Sequence, residues 1–335
     1  MRGETIFPGP LNRMARTDNN QLRPKTNMPK IYGQGLVVHN DRWTTESRLL
    51  WRLFPMVRAR LYYPLRSVVR AWRIKADIDG FRKKSVPPLF SQVEIETLNR
   101  CNATCEFCPV NRNAQQRPYA RMSEEMFSSI LDQLAALRYT KALSLHSNNE
   151  PLLDNRLPSF AAEARTKLPK ARIKMFTNGT LLSLDLFRTL MPNFDRIFIN
   201  NYNDTPTMHP NIREIFDYCR TPEGEKLITG KSVVIQLRNP HVVLSSRGGN
   251  APNRKPPAQP PSFKCVYPFK QFVIRPDGRV SLCCNDALGQ MTLGDLNTQT
   301  LLETWRGDAC TAVRNAIIEK GRAAIPLCAV CDYLD

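Results

Sequence analysis

The sequence predicts an α/β fold: parallel strands joined by helices, with a basic helical extension before them and a small α+β module after them. Three observations lead there. From about Phe90 to Val243, short β-type runs alternate with helical patterns, the signature of βαβ units. A stretch dense in Gly and Pro, Ser245 to Lys264, then interrupts regular structure. The last 71 residues, from Cys265 onward, carry six of the ten cysteines in a pattern of their own. The chain thus divides into 1–44, a draped basic segment; 45–89, a basic amphipathic helical extension; 90–243, the α/β core; 244–264, a linker; and 265–335, the cysteine-containing module.

At 335 residues, with 42% hydrophobic and 23% charged side chains, the chain can build one large or two ordinary cores. That excludes a disulfide miniprotein. No run approaches the roughly 18 uninterrupted apolar residues of a spanning helix, and no apolar signal follows Met1-Arg2-Gly3-Glu4, so a cytoplasmic location is expected. The net charge of +18 is unevenly placed: residues 1–90 hold 18 basic and 6 acidic side chains, a surplus of +12, leaving +6 for the other 245 residues. The basic character belongs to the extension, and nucleic acid is not an expected partner.

Residues 1–40, rich in Pro, Asn and Arg without periodicity, predict no regular structure. From Thr45 to Lys75, Leu, Trp, Phe, Tyr and Val mix with repeated Arg at helical spacing, and Pro55 and Pro64 split the run into short helices. Such a segment (residues 45–75) suits an anionic membrane surface, an acidic partner, or a collar over one end of the next domain; the collar is preferred. Predicted strands are Val93 to Leu98, Ala142 to Leu145, Ile173 to Phe176, Arg196 to Asn200 and Val233 to Leu237. Ser123 to Arg138 reads as a helix with Met126, Ile130, Leu134 and Leu137 on one face, capped by Ser123 and opened by Glu124 and Glu125.

Cysteines in a large cytoplasmic chain are poorly explained as disulfides and are read for metal or catalysis. Cys101, Cys105 and Cys108 form a C-x3-C-x2-C run directly after the first predicted strand, where α/β barrels place their chemistry. Three thiolates can hold three irons of a [4Fe-4S] cube and leave the fourth open, whereas structural zinc wants four closed ligands. With this loop in this place the chain resembles the radical S-adenosylmethionine (SAM) superfamily. The resemblance implies a partial (β/α)6 barrel, SAM chelated by the open iron, and reductive cleavage to a 5′-deoxyadenosyl radical that takes a hydrogen atom from substrate. It also implies a flavodoxin- or ferredoxin-type electron donor. Phe107, between the last two cysteines, resembles the aromatic residue that packs near adenine; it can equally plug the loop.

Further motifs follow in the family's order. His146-Ser147-Asn148-Asn149-Glu150-Pro151 stands where the family has Gly-Gly-Glu-Pro against the SAM amino group. Asn148 and Asn149 replace both glycines; Asn tolerates left-handed backbone better than most residues, and Glu150 can accept from the ammonium. Thr177-Asn178-Gly179 ends the third strand as a cofactor-side turn, and Asn200, with Asn201 and Asn203, ends the fourth where the family places a ribose contact. Arg238 and Asn239 end the fifth, the Arg suited to the SAM carboxylate.

In the last module Cys265, Cys283 or Cys284, Cys328 and Cys331 are separated by 17, 44 and 2 residues when counted through Cys283. Four thiolates can close a whole cube; a four-cysteine zinc site is the alternative. The pattern resembles the SPASM or "twitch" extension of radical SAM enzymes, a hairpin with a Pro-Asp-Gly turn and a helix holding an auxiliary [4Fe-4S] cluster, and Pro276-Asp277-Gly278 supplies the turn. Neighbouring strand residues point to opposite faces, so only one of the pair is a ligand. Cys283, five residues after Gly278 as in the family, is chosen; Cys284 is left as a buried thiol or hydrogen donor, and Cys219 and Cys310 are unassigned.

An auxiliary cluster with four protein ligands suggests an electron acceptor, and the spacing resembles the aminocyclitol dehydrogenase branch. The leading expectation is oxidation of a small carbohydrate or cyclitol alcohol. Alternatives are a peptide-modifying maturase, for which residues 1–90 show no clear leader-binding unit, and a radical epimerase returning hydrogen from Cys284, Cys310 or Cys219. A nonenzymatic iron-sulfur protein binding nucleic acid is the remote one.

Overall fold

The structure, a computed structural model, describes residues 30–32, 35–40, 72, 74–76, 78–82, 87–262 and 264–333. One ten-stranded sheet organises it: β1 (Lys30–Tyr32), β2 (Leu36–Asn40), β3 (Gln92–Ile95), β4 (Ala142–Ser144), β5 (Arg172–Thr177), β6 (Arg196–Tyr202), β7 (Ser232–Arg238), β8 (Gln271–Ile274), β9 (Arg279–Ser281) and β10 (Thr292–Asp295), in the spatial order β1-β2-β7-β6-β5-β4-β3-β8-β9-β10. From β2 through β8 every neighbouring pair is parallel. The sheet stays open, with β1 and β10 as its edges.

The five predicted core strands are β3 to β7, within a few residues of their expected ends. They are joined by α1 (Glu124–Ala136), α2 (Leu157–Lys167), α3 (Leu184–Leu190), and α4 (Pro210–Tyr218) with α5 (Pro222–Leu227). Ser123 caps α1 as expected, its side chain accepting from Met126 N. The buried face of α1 is Phe127, Ile130, Leu131 and Leu134; Met126 and Leu137 are only partly covered, so the predicted stripe is turned by about one residue.

Parity decides what each sheet face does. Along β5 and β6, Ile173, Met175, Ile197 and Ile199 are buried in the main core, while Phe176, Phe198, Asn200 and Tyr202 are half-buried on the opposite face. On that second face Phe176 and Phe198 stack 4.1 Å apart.

One expectation for the N-terminal residues changes. Residues 1–40 were to lack regular structure, yet Lys30–Tyr32 and Leu36–Asn40 are strands, and β2 pairs with β7 from Leu36↔Val233 to Asn40↔Leu237. The run LVVHN places β-branched residues where the exposed edge of β7 needs a partner. Gly35 makes the entry (φ +93), and a Cβ there would meet Lys231 O at 2.6 Å. The predicted helices of 45–75 lie almost wholly outside the described residues. Just after them, residues 74–76 and 78–82 are helical: Ile78 is buried in the core of the C-terminal module, and Phe81 packs edge-on against Phe269 at 5.1 Å.

The C-terminal module joins the sheet directly, because β8 pairs with β3. The β8–β9 hairpin turns at Pro276-Asp277-Gly278 with Gly278 at φ +80. Helix α6 (Leu301–Arg306) carries a complete Thr300/Glu303 capping box and seats Trp305 against Phe90, 5.4 Å away and nearly perpendicular, with the indole donating to Pro88 O. From α7 (Asp308–Lys320), buried Arg314 lies over that indole at 3.9 Å and donates to Pro268 O and Trp305 O. A short α8 (Pro326–Ala329) ends the module.

Candidate functional site

The loop after β3 is shaped by its own polar groups. Asn111 donates to the carbonyls of Cys105 (2.7 Å) and Cys108 (3.0 Å) and accepts from the amides of Asn113 and Ala114, while Cys108 N donates to Cys105 O. Cys101, Cys105 and Cys108 line one cavity of about 250 Å³ at the C-terminal ends of the strands. Phe107 lines it too, its ring 5.7 Å from that of Tyr202, so this aromatic both walls the cavity and packs the loop. Burial pushes the Cys101 and Cys105 thiols up to about 12; a bound cluster has to stabilise their thiolates.

The rim motifs converge on the same cavity. Asn148, Asn149, Glu150, Thr177, Asn178, Asn200 and Arg238 all line it; Pro151 is buried behind them, opening a 3-10 turn. Neither Asn148 nor Asn149 adopts left-handed backbone: among the described residues only Arg138 and Arg247 do so without being glycine. The expected reason for the Asn pair is therefore wrong. Side-chain bonds hold the turn instead, with Asn149 Oδ1 accepting from Ser147 N and Asn148 Oδ1 from Arg247. Glu150 accepts from Leu152 N (3.0 Å), Thr177 Oγ1 (2.7 Å) and Asn178 N (2.6 Å), which commits three of its roughly four acceptor positions inside the protein. Burial nonetheless raises its carboxyl to about 7.

Thr177 spends its hydroxyl on Glu150 and on Gly179 N, making it a positioning residue. Asn178 reaches Asn102 and, at 4.0 Å, Cys101 Sγ, so the third-strand turn is tied to the cysteine loop. Buried polar atoms of lining residues that lack a hydrogen-bond partner among the described residues include His146 Nδ1, Asn149 Nδ2, Asn200 Oδ1 and Arg247 Nε. Orphaned groups of this kind are costly unless a ligand answers them.

Cys265, Cys283, Cys328 and Cys331 line a second and much tighter cavity of about 20 Å³, closed by Leu282, Leu327 and Arg322. Arg322 donates to the carbonyls of Cys331 and Tyr333, fixing the final Cys-x2-Cys. Cys284 is not among the lining residues; its amide donates to Gln271 Oε1 on the other side.

Comparison with known proteins agrees with this arrangement. Residues 95–215 match the radical SAM superfamily and residues 265–332 match SPASM, an iron-sulfur cluster-binding domain. The chain belongs to the radical SAM superfamily. It is 29% identical over 248 residues to the S-adenosyl-L-methionine-dependent 2-deoxy-scyllo-inosamine dehydrogenase of Niallia circulans, spanning 73% of this chain and 93% of that one. Among solved structures it resembles BtrN in complex with AdoMet and 2-DOIA, with a TM-score of 0.64, 27% identity and coverage of 74% of this chain and 95% of that one. It also resembles BtrN in an open conformation, at a TM-score of 0.53, 23% identity and coverage of 73% and 94%, a likeness of fold alone.

As a radical SAM protein with a SPASM domain, the chain binds SAM with one [4Fe-4S] cluster and carries auxiliary iron-sulfur. The residues present fit both. Three thiols beside unpaired polar atoms suit a cluster with an open coordination site and a polar ligand, and four thiols in a tight apolar cavity suit a closed cluster. No helix among the described residues is long and apolar enough to cross a membrane.

Sequence reasoning missed two residues of this radical SAM site. Arg247 comes from the stretch read as a linker, takes φ +51, and reaches the cavity beside Asn148. Glu94 sits buried within β3 and accepts from Ser147 Oγ (2.9 Å) and Gln271 Nε2 (2.8 Å). The one signal for Glu94 was an acidic residue alternating with apolar Val93 and Ile95 in the first predicted strand; Arg247 offered none beyond its charge.

Proposed function

We propose that this chain oxidises a hydroxyl-bearing carbon of a small cyclitol or carbohydrate to a carbonyl in the cytoplasm, with electrons for activation from a flavodoxin- or ferredoxin-type protein. The carrying observation is the pairing of two unlike cavities, one open and polar with three thiols and one closed with four, on adjacent strands of one sheet. The similarity to a 2-deoxy-scyllo-inosamine dehydrogenase supports the substrate class.

When bound, SAM and the clusters supply a hydrogen-abstracting 5′-deoxyadenosyl radical and an electron acceptor. Cys101, Cys105 and Cys108 hold the SAM-binding cluster, and Cys265, Cys283, Cys328 and Cys331 the auxiliary one. Phe107 gives an apolar wall suited to an adenine ring, and Asn149, Asn178, Asn200 and Arg238 offer polar contacts to SAM. Glu150 and Thr177 keep the rim turns in register. Substrate hydroxyls fall to His146, Ser147 and Arg247 on the remaining wall. None of Cys219, Cys284 and Cys310 is among the residues lining this cavity, so nothing favours an epimerase that returns hydrogen from one of them.

Anaerobic reconstitution tests the reading: about eight irons per chain, 5′-deoxyadenosine formed only with intact Cys101, Cys105 and Cys108, and a ketone from an aminocyclitol or sugar panel. SAM cleavage without any ketone, or solvent deuterium entering recovered substrate, overturns it.

A further inference from the structure

Three carboxylates are buried around the site, and the chain treats them differently. Glu96 is held by Arg117 through two hydrogen bonds of 2.9 and 3.0 Å, and Glu150 by two backbone amides and a threonine hydroxyl. Glu94, like Glu150, has only neutral donors, but its two are side chains, Ser147 Oγ and Gln271 Nε2, and the first of them lines the open cavity. Glu150 bonds backbone amides and so ties rim turns together, whereas Glu94 fixes no backbone group and is less well explained as a strut, since Val at the same place in β3 would be less costly. It is well placed to take a proton.

Its connections run in two directions. Ser147 lines the open cavity and donates to Glu94 Oε2, while Asn148 Nδ2 donates to Ser147 Oγ at 3.3 Å and orients it. On the other side Gln271 accepts from the amide of Cys284, next to Cys283 of the closed cavity. One hydrogen-bonded path therefore runs from the wall of the substrate cavity to the loop carrying an auxiliary-cluster thiol.

We propose that Ser147 and Glu94 form the proton relay of the oxidation: Ser147 Oγ takes the hydroxyl proton of the substrate as it passes its own to Glu94 Oε2. This rests on the oxidation reading above. Converting a secondary alcohol to a ketone removes one hydrogen atom from carbon, one proton from oxygen and one electron. The hydrogen atom leaves with the 5′-deoxyadenosyl radical, the electron goes to the auxiliary iron-sulfur cluster, and the proton ends on Glu94, which starts ionised and finishes neutral. Deprotonation makes the substrate radical a stronger reductant, so the relay promotes electron loss. Ser147 is the group that touches substrate; Glu94 acts through it.

The groups facing Glu94 are Lys174 from β5, Arg247 from the 244–264 segment, Ser147 from the loop after β4, Gln271 from β8 and Cys284 after β9. Burial raises its carboxyl against the pull of Lys174 and Arg247, keeping it within reach of a proton.

The test uses reconstituted full-length protein and 2-deoxy-scyllo-inosamine deuterated at its ring carbons. Glu94→Gln and Ser147→Ala are expected to keep deuterium transfer into 5′-deoxyadenosine and to lower ketone formed per 5′-deoxyadenosine by about 10²-fold, the scale of one general base. A substrate radical should build up by electron paramagnetic resonance, and higher pH should partly restore coupling. Infrared difference spectra of the protein before cofactor loading give an independent readout: a protonated-carboxyl band absent from Glu94→Gln should fade as pH rises through the range of activity. If Glu94→Gln loses iron or folding, Ser147→Ala and the infrared titration decide. Wild type that makes ketone while Ser147→Ala stays equally coupled, or a band that persists at every active pH, overturns the relay alone. Wild type that cleaves SAM yet gives no ketone overturns the oxidation reading and the relay with it.

Discussion

Substituting Gly179 by Ala tests how tightly the third-strand turn sets the SAM side of the cavity. Gly179 has φ +76, where an L side chain costs about 1–2 kcal/mol, and an added Cβ would lie 2.8 Å from both Ile199 Cγ2 and Ile212 Cδ1. Those neighbours are fully buried, so overpacking adds about 1–3 kcal/mol. A total of about 2–5 kcal/mol, at roughly 2–4 °C per kcal/mol, predicts a fall in Tm of about 4–20 °C. The turn also positions Asn178, whose amide reaches Glu150 at 2.6 Å and whose side chain reaches Asn102, so SAM affinity measured by calorimetry should fall with it. Ile212→Val removes one clashing atom, and the Gly179→Ala/Ile212→Val double variant should recover part of the loss. Gly179→Asn relieves backbone strain but not the clash and should recover little. Unchanged Tm and SAM affinity in Gly179→Ala would refute the argument, and full recovery in Gly179→Asn would show that strain, not contact, dominates.

Cys283→Ala should lower iron from about eight to about four per chain, whereas Cys284→Ala should leave it unchanged, as read by iron and sulfide analysis. Removing the guanidinium with Arg247→Met, which also frees Asn148, should raise substrate KM about tenfold or more while SAM cleavage without substrate persists. Glu150 is raised in the folded state to about 7 from an ordinary 4.5, so the native state binds the extra proton. Its contribution, on the order of 3 kcal/mol, is fully present below about pH 4.5 and lost as pH rises through 7. The Tm of the unloaded protein should therefore fall across that window less steeply in Glu150→Gln than in wild type.

The parts legible in the sequence were those set by short-range pattern. Strands β3, β5, β6 and β7 carry β-branched residues between helical repeats, β4 is a short Ala-Leu-Ser run between two helical patterns, and the two cysteine groups are marked by their spacing. Choosing Cys283 over Cys284 agrees with the wall on which each sits, because parity in and after a strand is a local rule. What was not legible depends on distant partners. LVVHN is five residues in a segment dominated by Pro, Asn and Arg, and its strand exists because β7, nearly two hundred residues later, offers an unpaired edge. Arg247 belongs to a stretch without regular structure, and its role follows from Ser246, which is buried and bonds Asp332 and Val330 O across the module. The Asn148-Asn149 pair was read by analogy to glycine, yet it works through side-chain bonds.

The pairing of β3 with β8 explains why an oxidation needing two clusters can be run by this sheet. β3 leads within a few residues to Cys101, and the hairpin that begins with β8 leads to Cys283, so the two thiol sets hang from strands locked in register from Gln92↔Gln271 to Ile95↔Ile274. Phe90, Phe272 and Trp305 pack on the core side of that pair, with Arg314 clamping the indole, while Glu94 and Gln271 bond on the cavity side. The separation between hydrogen abstraction and electron acceptance is thus set by backbone ladder bonds rather than by a hinge. Electron transfer needs that fixed distance, and a proton acceptor is useful only if it stays at the substrate wall. Both requirements fall on one strand pair, whose core face is apolar and whose cavity face carries the polar chain from Ser147 to Cys284.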